Sequence, residues 1–325
     1  MKKTLLSALA LCLCACLLLG SLSACGSVPN ADGGKLQIVA TIFPIYDWVR
    51  EILGDRLADT DLTLLLDNGV DLHSYQPGAQ DLMRVSQCDL FVYVGGNSDA
   101  WVTDALGSVQ NPDRVAVSLL ETLGEAVKVE EIVEGMEAEE EDEEEGVEYD
   151  EHVWLSLRNA SVLVNALADS LGKVDPDHAS VYVRNAQAYT SKLDALEAQY
   201  ADAAAAASVK TLLFADRFPF RYLADDYGLS YYAAFSGCSA ETEASFRTIT
   251  FLAEKTDELG LRNILQVESA DGSIARTVRE NTRTKDQQIL TLNSLQSAAS
   301  QDVEQGLTYL SAMTENLEVL KTALQ

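Results

Sequence analysis

Histidine is scarce in this chain: 325 residues hold three, at positions 73, 152 and 178. There is no His-Glu-x-x-His and no Gly-x-Ser-x-Gly, so the helix of a zinc protease and the nucleophile turn of an α/β-hydrolase are both missing. Positive charge is equally short. Against 51 Asp and Glu stand 23 Lys and Arg. The net charge of −28 argues against nucleic acid and anionic lipid headgroups as partners, since both repel it. A metal cation or a basic protein remains compatible. Of the six cysteines, Cys12, Cys14 and Cys16 fall in an apolar leader, so they imply no disulfide framework. Hydrophobic residues at 47% and aromatics at 7% are enough for a core, in one large or two medium domains.

The leader has its own logic. Lys2 and Lys3 precede the apolar run Leu5–Leu22, which ends in Leu22-Ser23-Ala24-Cys25. A charged start, an apolar run and small residues before a cut site read as a secretory signal over 1–24. A cysteine after Leu-Ser-Ala resembles the bacterial lipobox, whose cysteine is lipidated and begins the mature chain; the alternative is an uncleaved membrane anchor. Residues 25–35 then form a small, polar tether, and the rest lies outside the cytoplasmic membrane.

From Leu36 short apolar runs alternate with amphipathic segments. The pattern predicts strands at Leu36–Ile42, Leu62–Leu66, Leu90–Val94 and Val115–Leu119, then at Val209–Phe214, Leu229–Phe235, Asn263–Val267 and Ile289–Leu292. Helical segments follow, the last over Val303–Leu324. Such alternation means α/β lobes with parallel sheets, one over 36–174 and one over 208–325. Between them, Asp175-Pro176 is a helix start, and Tyr182, Ala186, Tyr189, Leu193, Leu196 and Tyr200 form one apolar stripe. A helix over 175–207 would be roughly 45 Å long, a rigid connector rather than a coiled-coil seam. One block breaks the rhythm. Residues 130–151 carry fourteen acidic side chains and no Lys or Arg, and without them the net charge would be −14. Such a block reads as a solvated loop or as a weak cation collector.

Asp71-Leu72-His73-Ser74-Tyr75-Gln76-Pro77 follows the second predicted strand, and Asp150-Glu151-His152-Val153-Trp154-Leu155-Ser156 leads into a helix. A lone histidine in a loop is ordinarily a surface residue. Two at loop-to-helix junctions of one lobe can face one crevice, and imidazole suits zinc and related metals. These stretches, with Thr41-Ile42-Phe43-Pro44-Ile45-Tyr46-Asp47, Asp89-Leu90-Phe91 leading to Trp101, and the mid-chain helix, resemble the zinc/manganese solute-binding lipoproteins of ABC transporters (ZnuA- or TroA-like) from about Leu36 to the end. The resemblance implies two (βα)4 lobes joined by one long rigid helix, a metal held between them, and partners in a permease and its ATPase. It makes His73 and His152 the first-lobe ligands to Zn2+ or Mn2+.

The second lobe departs from the family pattern. The position after Phe214 reads Ala215-Asp216-Arg217, without histidine, and the position after the last strand reads Leu292-Asn293-Ser294. Asp216 and Glu268, each at a strand's carboxyl end, are the candidate replacements, with Asn293 and Cys238 as alternatives; Asp216 also reads as the ion-pair partner of Arg217 or Arg221. Cys238 offers a thiolate that zinc accepts, or a small buried side chain. Cys88 precedes its strand and Cys238 follows one, which puts them too far apart for a disulfide. His178 is expected to be a solvent-facing residue of the connector's first turn. Tyr75, Trp101 and Trp154 are expected to wall the crevice or pack in the lobe. The implied function is that of a monomeric, lipid-anchored metal carrier, not an enzyme. The rivals are a secreted zinc hydrolase and a surface adhesin on the same fold.

Overall fold

Eight short strands fall where the apolar runs predict them, each end within four residues or fewer. The computed structural model describes residues 34–67, 69–107, 110–137, 147–239 and 243–325. The leader, Cys25, the tether as far as residue 33 and the 138–146 part of the acidic block lie outside these residues.

In the first lobe β1 (Leu36–Ala40), β2 (Thr60–Leu64), β3 (Leu90–Tyr93) and β4 (Val115–Ser118) pair in parallel in the order β2-β1-β3-β4. In the second, β5 (Thr211–Phe218), β6 (Ser230–Ser236), β7 (Asn263–Val267) and β8 (Gln288–Leu292) repeat it as β6-β5-β7-β8. Each order reverses direction beside its first strand, and the crevice at the carboxyl ends of such a pair is where α/β sheets take ligands. Helices cover the sheets. In the first lobe these are α1 (Phe43–Leu53), α2 (Ala79–Gln87), α3 (Trp101–Gly107), α4 (Leu119–Leu123) and α5 (Leu157–Val174). In the second they are α7 (Arg221–Tyr227), α8 (Phe246–Leu259), α9 (Ser273–Asn281), α10 (Ser300–Glu304) and α11 (Tyr309–Ala323).

The connector is α6 (Ala179–Ala206), 28 residues with the whole predicted stripe buried. It differs at its start. A 3-10 turn over Pro176–His178 precedes it, and the Asp175 carboxylate does not cap the backbone. It accepts from the His178 ring at 2.9 Å and from the Tyr182 hydroxyl at 2.5 Å instead. The predicted last helix is also two helices. Gly306 adopts a left-handed φ of 99°, and Thr308 then caps α11 by accepting from the Ser311 amide.

One apolar core runs from the first sheet through α5, α6 and α11 to the second sheet, and a smaller one lies under α8 and α9. Lobe-to-lobe bonds add to it. The Trp154 indole donates to the Ser294 carbonyl at 2.8 Å, and the Tyr309 hydroxyl donates to the Trp154 carbonyl at 2.6 Å. The flanks of the acidic block are built into the fold as well. The amides of Glu130 and Asp150 donate to the carbonyls of Glu148 and Lys128. Beyond that hairpin base the Glu131 carboxylate accepts from the Tyr231 hydroxyl, and the Glu137 amide donates to the Ala234 carbonyl on β6. An edge strand's unpaired groups are covered in this way.

Asp47 on α1 is buried, accepting from the Tyr309 amide at 2.8 Å and from Arg50 at 3.2 Å. Burial pushes its carboxyl from 3.8 up to about 6, against the pull of both partners. The folded state therefore holds this proton more tightly than the unfolded chain. The penalty for ionising it is absent below about pH 4, grows as pH rises and is complete above about pH 6. Asp47→Asn keeps an acceptor for Tyr309 without the charge. Urea melts at pH 4, 5, 6 and 7 should show the variant gaining on the wild type by about 1–3 kcal/mol across that window. Parallel stability curves would rule the assignment out.

Candidate metal centre

His73 and His152 are presented by the same local device. Each stands two residues after an aspartate, and in each the aspartate carboxylate accepts from the histidine's own amide, Asp71 at 3.0 Å and Asp150 at 2.9 Å. Both carboxylates thereby fix a short turn that begins a 3-10 helix, Leu72–Ser74 or Val153–Leu155. The repeated Asp-x-His was legible in the sequence, and it is the signal that finds these orienting residues.

The rings are then held through their Nδ1 atoms. Nδ1 of His73 is 2.8 Å from the Ser98 hydroxyl, and Nδ1 of His152 is 3.0 Å from the Asp150 carboxylate. Each ring is left with Nε2 as its outward nitrogen, and the two Nε2 atoms lie 3.1 Å apart. Two nitrogens bound to one tetrahedral zinc at about 2.0–2.1 Å would be roughly 3.3 Å apart. The pair is thus almost at ligand spacing. A carboxylate behind a ligating imidazole fixes its tautomer and raises its basicity.

Electrostatics at the pair favours a cation. Burial, then the neighbouring His152, holds His73 down to about 3, so its imidazole is neutral near neutral pH. Burial also works against a charge on His152, but the Asp150 carboxylate outweighs it, with Glu151 and Glu130 adding, and its pKa rises. Glu151 is buried behind the pair. Its Oε1 accepts from the Ser98 amide at 2.9 Å, while Oε2 lies 3.7 Å from His73 Nδ1 and has no hydrogen-bond partner among the described residues. Burial raises this carboxyl to about 7. Gly96 makes room for it: at φ 82°, a Cβ there would fall 2.3 Å from Glu151 Oε1.

Among the described residues, the His, Cys, Asp and Glu ligand atoms that come together are those of His73, His152 and Cys238, all within 4.8 Å of one another. Cys238 follows β6 in the second lobe. Its amide donates to Glu130 at 2.9 Å, and burial, then the carboxylates of Glu130, Asp150 and Glu151, pushes its thiol well up. Cys88 is a free, buried thiol donating to the Val85 carbonyl, and Cys238 is free as well.

Asp216 and Glu268 stand elsewhere in the site's surroundings. The register of β5 against β6 shifts between Phe214 and Arg217, and Asp216 accepts there from the amides of Arg217 at 2.8 Å and Val267 at 3.1 Å. Burial raises its carboxyl despite both bonds. The Arg217 guanidinium pairs across the lobes with Asp71 at 2.8 Å. Glu268 is taken by the loop after β8: Ser294 donates to it through its amide at 2.7 Å and its hydroxyl at 2.9 Å, and Ser297 adds a third bond. Asn293 shapes the same turn, accepting from the Leu295 amide at 2.8 Å. His178 is partly exposed and tied to Asp175. A cleft of about 530 Å³, lined by Asp71, His73, Asp216, Arg217, Asp271 and Ser297, opens on the His73 side. His152 is fully buried, with the Trp154 ring 5.3 Å away, so an ion would enter past His73.

Two parallel four-stranded lobes on one connecting helix, with paired imidazoles turned to their junction, have the architecture of the ZnuA-like fold. The chain belongs to the family described as zinc-uptake complex component A, periplasmic (ZnuA), whose model matches residues 38–323. It is 33% identical to the zinc-binding lipoprotein AdcA of Streptococcus pneumoniae, over 99% of this chain and 61% of AdcA, so it spans less than two thirds of that relative. With the high-affinity zinc uptake system protein ZnuA of Bacillus subtilis it shares 29% identity over 95% of each chain. The Zn(II)-bound ZnuA-like domain of S. pneumoniae AdcA superimposes with a TM-score of 0.70 at 30% identity, covering 90% of this chain and 99% of that one.

Proposed function

We propose that this chain is the solute-binding component of a metal ABC importer, capturing Zn2+ between its lobes and delivering it to a permease driven by an ATPase. The observation that carries this is the 3.1 Å pair of Nε2 atoms with both Nδ1 atoms already engaged, which is a ligand geometry prepared before the ion arrives. His73 and His152 are its first-lobe ligands. Asp216 and Glu268 are candidate second-lobe carboxylates, each already held by hydrogen bonds as ligating carboxylates are. The family's zinc-uptake members and the Zn(II)-bound AdcA domain support zinc as the cargo. A carrier rather than a catalyst is the reading in line with the zinc-uptake members of the family. Lipidation at Cys25 would tether it, as a monomer, to the outer face of the cytoplasmic membrane.

Isothermal titration of chelator-stripped protein should show one equivalent of Zn2+ bound tightly and Mn2+ bound more weakly. Heat changes no larger than dilution, with either ion, would end this assignment.

A further inference from the structure

We propose that Cys238 is the second lobe's ligand to the captured ion, making a two-nitrogen, one-sulfur site that closes across the lobes and selects zinc over manganese. This rests on the metal-capture function proposed above and gives that function its missing half.

Among the second-lobe residues near the crevice, Ala215 has no ligand atom, and the Asn293 amide oxygen accepts from the Leu295 amide. The carboxylates of Asp216 and Glu268 are hydrogen-bonded, to two backbone amides and to Ser294 and Ser297 respectively, and neither joins the cluster of ligand atoms among the described residues. Sγ of Cys238, in contrast, lies within 4.8 Å of ligand nitrogens of both histidines. Around a tetrahedral zinc, with sulfur at about 2.3 Å and nitrogen at about 2.0–2.1 Å, the sulfur–nitrogen separation is roughly 3.5 Å. The remaining gap is at most about 1.3 Å by that geometry, a small adjustment of one side chain.

The backbone is arranged to bring the thiol there. Gly237 precedes it, and a Cβ at 237 would fall 3.0 Å from Cε1 of His152, 3.1 Å from its Nδ1 and 2.9 Å from the Phe218 carbonyl oxygen. Only glycine lets this loop lie flush against the imidazole. On the other side, Glu130 holds the Cys238 amide at 2.9 Å, which ties the thiol's loop to the first lobe's acidic hairpin. Ligand chemistry gives the selectivity. Thiolate and imidazole suit zinc, whereas manganese prefers carboxylate and water oxygens. On binding, the S–H bond breaks, its proton leaves to solvent and the sulfur lone pair forms the S–Zn bond, without change of oxidation state.

Zinc X-ray absorption on the wild-type chain is the test that needs no variant. A sulfur shell at about 2.3 Å is expected. Co2+-loaded protein should show a thiolate-to-cobalt charge-transfer band that Cys238→Ser abolishes. The same variant should lose zinc affinity by more than about a hundredfold, since removing even an outer partner of a ligand costs 10–100-fold. Cys238→Asp should narrow the preference for Zn2+ over Mn2+ in competition. Zinc bound with only nitrogen and oxygen scatterers, or with undiminished affinity by a cooperatively folding Cys238→Ser, would overturn the thiolate assignment and leave metal capture standing. No zinc binding by the wild-type chain would overturn both.

Discussion

Replacing His73 and His152 together by alanine is expected to abolish zinc binding, with no titratable heat up to millimolar Zn2+. The two Nε2 atoms are the only imidazole nitrogens that face each other among the described residues, 3.1 Å apart, and neither ring has a spare orientation because both Nδ1 atoms are held. Each single variant should already lose more than about a hundredfold, the scale set by losing a single outer partner. Thermal melts supply the second readout. A ligand that binds only the native state at a thousand times its Kd stabilises by about 4 kcal/mol, and that gain should vanish in the double variant. His178→Ala is the control. That ring pairs with Asp175 on the connector's first turn, so the variant should bind like the wild type. Retention of binding within a few-fold by the double variant would sink the site.

Tyr309→Ala is expected to be the most damaging change away from the metal, costing about 3–5 kcal/mol as for other large aromatic truncations in a core. Tyr309 begins α11 and is fully buried. Its ring meets Trp48 edge-on at 5.1 Å, its amide donates to Asp47 and its hydroxyl donates to the Trp154 carbonyl. The same side chain therefore joins the last helix to α1 and to the turn that carries His152. Tyr309→Phe keeps the packing and loses only the hydroxyl bond, so it should cost about 0.5–1.5 kcal/mol. Chemical denaturation of both variants checks the pair. Equal losses would mean that the hydroxyl, not the ring, matters. The alanine variant should also bind zinc more weakly, because the Val153–Leu155 turn loses its support.

Much of this architecture was legible before any coordinates. The apolar runs at Leu90–Val94 and Asn263–Val267 match strands within a residue, and the Tyr182-to-Tyr200 stripe is buried throughout α6. The misses are local and have local causes. The last helix breaks because one glycine takes a left-handed conformation, and the connector starts late because Asp175 binds two side chains instead of capping. By charge alone the acidic block reads as a solvated loop or a weak cation collector, and neither reading involves its flanks in the sheet. Its flanks pair with each other and with β6, an outcome that depends on an edge strand far along the chain.

By itself the sequence determined the two parallel lobes and the long connecting helix. Those features follow from periodicity along single segments, whereas the turns by which Asp71 and Asp150 present the two histidines emerge only in the folded chain. Only the tertiary structure decided which second-lobe group comes near the imidazoles. Glu268 and Cys238 follow their strands, whereas Asp216 lies inside β5 at its register shift, because that strand runs on past Phe214 to Phe218, and periodicity along one segment does not tell which side chains the neighbouring amides and hydroxyls engage. Val267, Ser294 and Ser297 engage the two carboxylates, Gly237 lets the thiol's loop lie against His152, and proximity across the lobes does the rest.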